Sequence, residues 1–181
     1  MPFETLLPDI PRIYTAVSEW LACMIFVVFS VKRFDNLKTA VLSVAALVTL
    51  CIFHWLAGEM PLWSWIPCML VAVAGMCLFI WGARKLKFHE ACYAGIQAFV
   101  IAEFVSALEW WLYYFFASTF TITAPTVASV MICALIYLTL YALLLVLERR
   151  YAKRKTFPPN YKDLLAVAVI ACAVFLISNI S

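Results

Sequence analysis

Six long apolar runs organise this chain, at approximately residues 13–31, 38–58, 62–83, 90–117, 125–147 and 162–180. Each is near or above the ~20 residues that a helix, rising ~1.5 Å per residue, needs to cross ~30 Å of hydrocarbon. Nothing in the pattern requires a strand. The breaks between runs carry the residues that stop helices: Pro11 precedes the first run, Gly58 to Pro61 separate the second from the third, Ser118 to Pro125 the fourth from the fifth, and Pro158-Pro159-Asn160 precede the sixth. The pattern therefore predicts an all-α membrane protein, a bundle of about six transmembrane helices with little mass outside the bilayer, forming one domain over residues 1–181.

Composition sharpens this reading. Hydrophobic residues make up 67% of the chain and charged residues 13%, with a mean hydropathy of +1.00. Too few polar side chains exist to cover such a domain in water, so its apolar surface must face lipid. The seven cysteines, Cys23, Cys51, Cys68, Cys77, Cys92, Cys133 and Cys172, fall inside apolar runs with no CxxC or zinc-ligand spacing, and read as small packing residues. The segment Met1 to Arg12 has acidic Glu4 and Asp9 and three prolines but no basic leader, so the first helix is expected to remain in the mature protein.

The net charge of +3 matters less than its placement. Of the 13 Lys and Arg residues, Lys32, Arg33 and Lys38 lie between runs one and two, and Arg84, Lys85 and Lys87 between three and four. Arg149, Arg150, Lys153, Arg154, Lys155 and Lys162 lie between five and six, and only Arg12 falls elsewhere. By the positive-inside rule these loops are cytoplasmic, which predicts an N-out, C-out topology in a bacterial inner (plasma) membrane. The basic loop from Arg149 reads as a topology determinant in contact with anionic lipid, not as a nucleic-acid site.

Ionisable groups inside hydrocarbon cost several kcal/mol, so they normally face the bundle interior. Four qualify: Glu19, His54, Glu103 and Glu109. Counting ~1.5 Å per residue from the outer helix ends places Glu19 about 9 Å deep, His54 about 6 Å and Glu109 about 10 Å, with Glu103 about 9 Å deeper still. Helix four also carries Ala94, Ala98, Ala102 and Ser106 at intervals of four, a seam of small residues that lets another helix approach closely. Glu109 borders that seam three positions after Ser106, and Trp20, Trp55, Trp110 and Trp111 neighbour the ionisable groups in sequence. Two readings stay open. Glu19, His54 and Glu109, with Trp110, form an outward-opening pocket for a cationic or amphiphilic ligand, or His54 pairs with one carboxylate simply to hold helices together.

Enzymatic chemistry finds no support. Glu103 and Glu109 point about 240° apart on a helix and do not make a paired-carboxylate site. His89-Glu90 opens like a zincin motif, but Tyr93 stands where HExxH needs its second histidine. No Gly-rich phosphate loop or nucleophile elbow is present, so no metal, cofactor or catalytic residue is expected.

Two stretches carry a family resemblance. Ala98-Phe99-Val100-Ile101-Ala102-Glu103-Phe104-Val105-Ser106-Ala107-Leu108-Glu109-Trp110, continuing through Trp111-Leu112-Tyr113-Tyr114, and the terminal Phe175-Leu176-Ile177-Ser178-Asn179-Ile180-Ser181 resemble the N-terminal membrane region of bacterial GHKL-type sensor histidine kinases. In that family helix four reads approximately AFxLAEFxxSLEWxLYY and the sixth helix ends in ISNLS. The resemblance implies a sensory region of a two-component system, receiving a secreted peptide or small amphiphilic ligand and acting as a homodimer through a cytoplasmic kinase domain. These 181 residues contain neither a phosphoacceptor region nor ATP-lid glycines, so kinase activity is not expected of them. A substrate-binding subunit of a multi-part importer, or a purely structural membrane protein, fits the same composition.

Overall fold

A computed structural model describes residues 13–57, 62–119, 127–152 and 160–180. It is all helical: α1 Ile13–Phe29, α2 Asn36–Ala57, α3 Leu62–Ala83, α4 Phe88–Thr119, α5 Val127–Ala152 and α6 Tyr161–Ile180. Four of these, α2 to α5, contain stretches long and apolar enough to cross a membrane; α1, at 17 residues, is apolar but shorter. The connection Gly58 to Pro61, most of the break from Ser118 to Pro125 and most of the last basic loop lie outside the described residues, as do Met1 to Arg12 and Ser181.

Local chemistry explains where helices begin. At α4 the Lys87 backbone N–H donates to Glu90 Oε2 at 2.9 Å, and at α6 the Asn160 N–H donates to Asp163 Oδ2 at 2.9 Å. In both, an acidic side chain three residues into the helix reaches back to the capping residue's amide, satisfying a donor that the first turn leaves orphaned. The apolar runs and the helices differ mainly at the ends. Run one extends to about residue 31, whereas α1 stops at Phe29. Val31 instead accepts a hydrogen bond from Lys85 N at 3.1 Å, and Arg33 N donates to Ala83 O at 3.2 Å. This short bridge ties the first two basic loops together. In the other direction α5 continues past residue 147 through Glu148, Arg149 and Arg150, because charged residues that end a hydropathic run are still good helix formers.

The three basic regions share one end of the bundle. Lys32 and Arg84 pair through the bridge, and His89 at the start of α4 packs against Tyr161 at the start of α6, with ring centroids 5.6 Å apart. Arg33 lies 5.1 Å over the Trp81 ring at this end, a cation–π contact.

Helices α1 and α4 form the centre: α1 packs on α2, α3, α4 and α5, and α4 on α1, α3, α5 and α6. Of the expected small-residue seam, Ala94, Ala98 and Ala102 are buried and Ser106 is half-buried. A close approach is at Gly95, one position off that seam. A Cβ there would stand 2.5 Å from Cys77 Sγ and 2.9 Å from Cys77 Cα, so α3 lies against bare α4 backbone. The peripheral faces are apolar and exposed, as with Val41, Val44, Val48 and Ile52 along α2 and Leu135 and Leu138 on α5. Outward-facing apolar stripes of this kind suit a hydrocarbon solvent.

Candidate functional site

The buried polar groups are organised around α1. Ser18 and Glu19 are consecutive, so they point about 100° apart on the helix, yet both are fully buried because neighbours surround α1 on nearly every side. Glu19 turns toward α2, where its Oε2 lies 2.9 Å from His54 Nε2. His54 is also fully buried. The other carboxylate oxygen, Glu19 Oε1, has no hydrogen-bond partner among the described residues. Three residues of the same helix pair zip α1 to α2 further along: Trp20 Nε1 donates to the Ser43 carbonyl at 2.9 Å, and the Ser43 hydroxyl contacts Met24 Sδ at 3.1 Å.

Ser18 turns the other way, toward α4 and α5. Tyr141 OH donates to the Ser18 carbonyl at 2.6 Å, which leaves the Ser18 hydroxyl proton for the Tyr141 oxygen at 2.7 Å or the Ala102 carbonyl at 3.2 Å. Above Tyr141 its own helix continues the line at intervals of four: Tyr137, with rings stacked at 6.3 Å, then Cys133. Tyr14, one turn before Ser18 on α1, stacks on Tyr137 at 6.3 Å. Glu109 from α4 closes this layer. It is 1% exposed, it lies beside the Cys133 thiol, and its Oε1 has no hydrogen-bond partner among the described residues. The Ser106 hydroxyl lies beside Tyr137 without reaching hydrogen-bond geometry.

The structure thus brings Glu19 and His54 together and sets Glu109 apart. Helices α2 and α4 make no contact among the described residues, and α1 stands between them. Glu109 keeps company with Tyr14, whereas Glu19 lies five residues further along α1, about 7.5 Å by helix rise. The three groups expected at one depth occupy two layers on opposite sides of α1. Glu103 is half-buried. Among the four tryptophans considered, Trp20 is half-buried in the α1–α2 contact, while Trp110, Trp111 and Trp55 are 39%, 71% and 77% exposed. These three face outward, away from the buried carboxylates.

Charge alone led the sequence reading to Glu19, His54 and Glu109; it missed Tyr14, Ser18, Cys133, Tyr137 and Tyr141, which carry none. The available signal was a period of four: Tyr14 and Ser18 on one helix, Cys133, Tyr137 and Tyr141 on another. Among the described residues no three His, Cys, Asp or Glu side chains gather as a metal site, and none of the cysteines forms a disulfide. What the arrangement can do is hold two buried acid groups in different polar layers joined by one helix, Glu19 through its partner on α2 and Glu109 through α5. No known family, curated protein or solved structure matches the chain.

Proposed function

We propose that the chain crosses a bacterial plasma membrane six times, with both termini outside, and that it is the sensory region of a two-component histidine kinase of the GHKL type. Its signal is an extracytoplasmic peptide or small amphiphile, and its output passes to a cytoplasmic kinase domain beyond these residues. The observation that carries the reading is the buried polar seam around α1: Glu19 paired to His54 on one side, and Ser18 bonded to Tyr141 on the other. The helix-four resemblance across Ala98 to Tyr114 and the gathering of basic loops at one end support it.

Such a seam suits a switch. A ligand moves an equilibrium only by binding one packing better than another, and taking it from 1:99 to 99:1 requires about 5.5 kcal/mol of difference. An unsatisfied buried acceptor costs about 1–3 kcal/mol. Two such carboxylate oxygens, on Glu19 and Glu109, hold an energy of that order, which a packing that partners them would recover. Small shifts of α1 then become discrete changes of partner instead of gradual bending.

The test is Glu109→Gln in the full-length protein, which removes the charge and keeps the volume. The expected result is normal membrane insertion and helicity with loss of signal-dependent autophosphorylation. An unchanged response, or substrate uptake by the purified chain in liposomes, overturns the sensory role.

A further inference from the structure

A second site lies at the other end of α1, between α1 and α2, where the basic loops meet. A cavity of about 450 Å³ opens there, within the ~300–1,000 Å³ range of small-molecule sites. Its walls are of two kinds. One part is apolar, with Met24 and Val27 from α1 and the exposed Ala40 from α2, and it opens sideways to the lipid-facing surface between Val28 and Val44, which are 52% and 58% exposed. The other part is polar and cationic, with exposed Lys32 and Asn36 at the rim and buried Thr39, Ser43 and Arg84 behind them.

Arg84 is the informative residue. It is only 2% exposed, yet it lines the cavity. One nitrogen, Nη1, donates to the Ser30 carbonyl at 2.9 Å, while Nε has no hydrogen-bond partner among the described residues. A buried guanidinium with donors to spare is costly unless an anion faces it. The backbone bridge between Val31–Arg33 and Ala83–Lys85 fixes its position, so the donors are held in place before any ligand arrives. Lys32, whose amine contacts Asn36 Oδ1, adds an exposed second cation at the rim.

We propose that this cleft binds one anionic phospholipid from the leaflet on the basic-loop side, with the phosphate at Arg84 and Lys32 and an acyl chain between α1 and α2. Charge complementarity selects the headgroup. From Met24 to the end of α1 at Phe29 the helix rises about 7.5 Å, and Lys32 lies three residues beyond it, enough to take the upper part of a chain entering through the Val28–Val44 opening. The proposal rests on the chain being a membrane protein and is independent of any sensory role.

The test reconstitutes the 181-residue chain in nanodiscs of zwitterionic phosphatidylcholine containing a minor share of phosphatidylglycerol, then measures by native mass spectrometry which lipids stay bound on release. The expected result is retention of phosphatidylglycerol over phosphatidylcholine, reduced about fivefold in Lys32→Gln, as one basic residue at a membrane surface is worth. Val44→Trp, at a half-exposed position, leaves both cations in place but fills the opening, and retention falls there too. Equal retention of the two lipids overturns the site. So does full retention in Val44→Trp, which would put the lipid on the basic surface and not in the cleft. Displacement of phosphatidylglycerol by millimolar inorganic phosphate would show a free-anion site and overturn the lipid assignment.

Discussion

Replacing the Glu19–His54 pair with leucines tests how α1 is held, because the sign of the outcome follows from burial. Both side chains are fully buried, and they meet at 2.9 Å between Oε2 and Nε2. Glu19→Leu alone leaves the His54 imidazole without that partner, and His54→Leu alone leaves Glu19 with both oxygens unpartnered instead of one. Stranding a buried polar group costs about 1–3 kcal/mol, more when it is charged. Replacing both with apolar groups of similar size removes the polar burden altogether and is often neutral or stabilising. The double variant is therefore expected to be more stable than His54→Leu, with a coupling energy of about 0.6–2 kcal/mol, the range of interhelical hydrogen bonds in membranes. The low end reflects an unfolded state that also finds partners within the bilayer. Reversible unfolding of the four proteins in bicelles, each single variant, the double and the parent, measures the cycle. If the two losses add to within about 0.3–0.5 kcal/mol, the usual limit of additivity for independent sites, the pair contributes nothing as a pair and the reasoning fails.

Gly95→Ala is expected to destabilise by about 1–2 kcal/mol. The ~1 kcal/mol that alanine gains in helix propensity is outweighed by a Cβ placed 2.5 Å from Cys77 Sγ and 2.9 Å from Cys77 Cα. Adding Cys77→Ala should recover only part of the loss, since the clash with the α3 backbone at position 77 persists; full recovery in the same unfolding assay would show that the backbones have room. For topology, single cysteines at Asn36 and Lys85 in a cysteine-free background should resist impermeant thiol reagents in intact cells and react after permeabilisation. Labelling of either from outside inverts the proposed orientation.

Much of the fold was legible because hydropathy and helix stops act locally. The run at 62–83 coincides with α3, and the other runs fall within a few residues of their helices except at the end of α5. That misfit has a cause: hydropathy marks the edge of an apolar medium, whereas a helix ends where its backbone loses partners. The site was legible only where it was expensive. A carboxylate or imidazole in hydrocarbon stands out by composition, so Glu19, His54 and Glu109 were found, but their pairing depends on which helices are neighbours. Ser18 and Tyr141 are 123 positions apart, and neither is unusual in a membrane helix. Gly95 escaped for a related reason. The alanine seam at 94, 98 and 102 is visible as a period, while the close approach at Gly95 is set by where α3 crosses. Arg84 was counted as one charge in a basic loop, and only the bridge between two loops makes it a buried guanidinium.

The position of α1 links these particulars. Along its length it carries Tyr14, Ser18 and Glu19 in the polar layers and then Met24, Val27 and Val28 in the wall of the cleft beside Arg84. A rotation of α1 by one residue, about 100°, would remove Glu19 from His54 and Ser18 from Tyr141 in the same step and would reshape the cleft at the opposite end. Contacts that break together make a helix resist small displacements and yield to larger ones as a unit, because packed interfaces have discrete arrangements and do not deform continuously. A lipid bound at the Arg84 end and a ligand acting at the Glu109 end would then bias the same equilibrium, and by linkage each would alter the affinity of the other by the same factor.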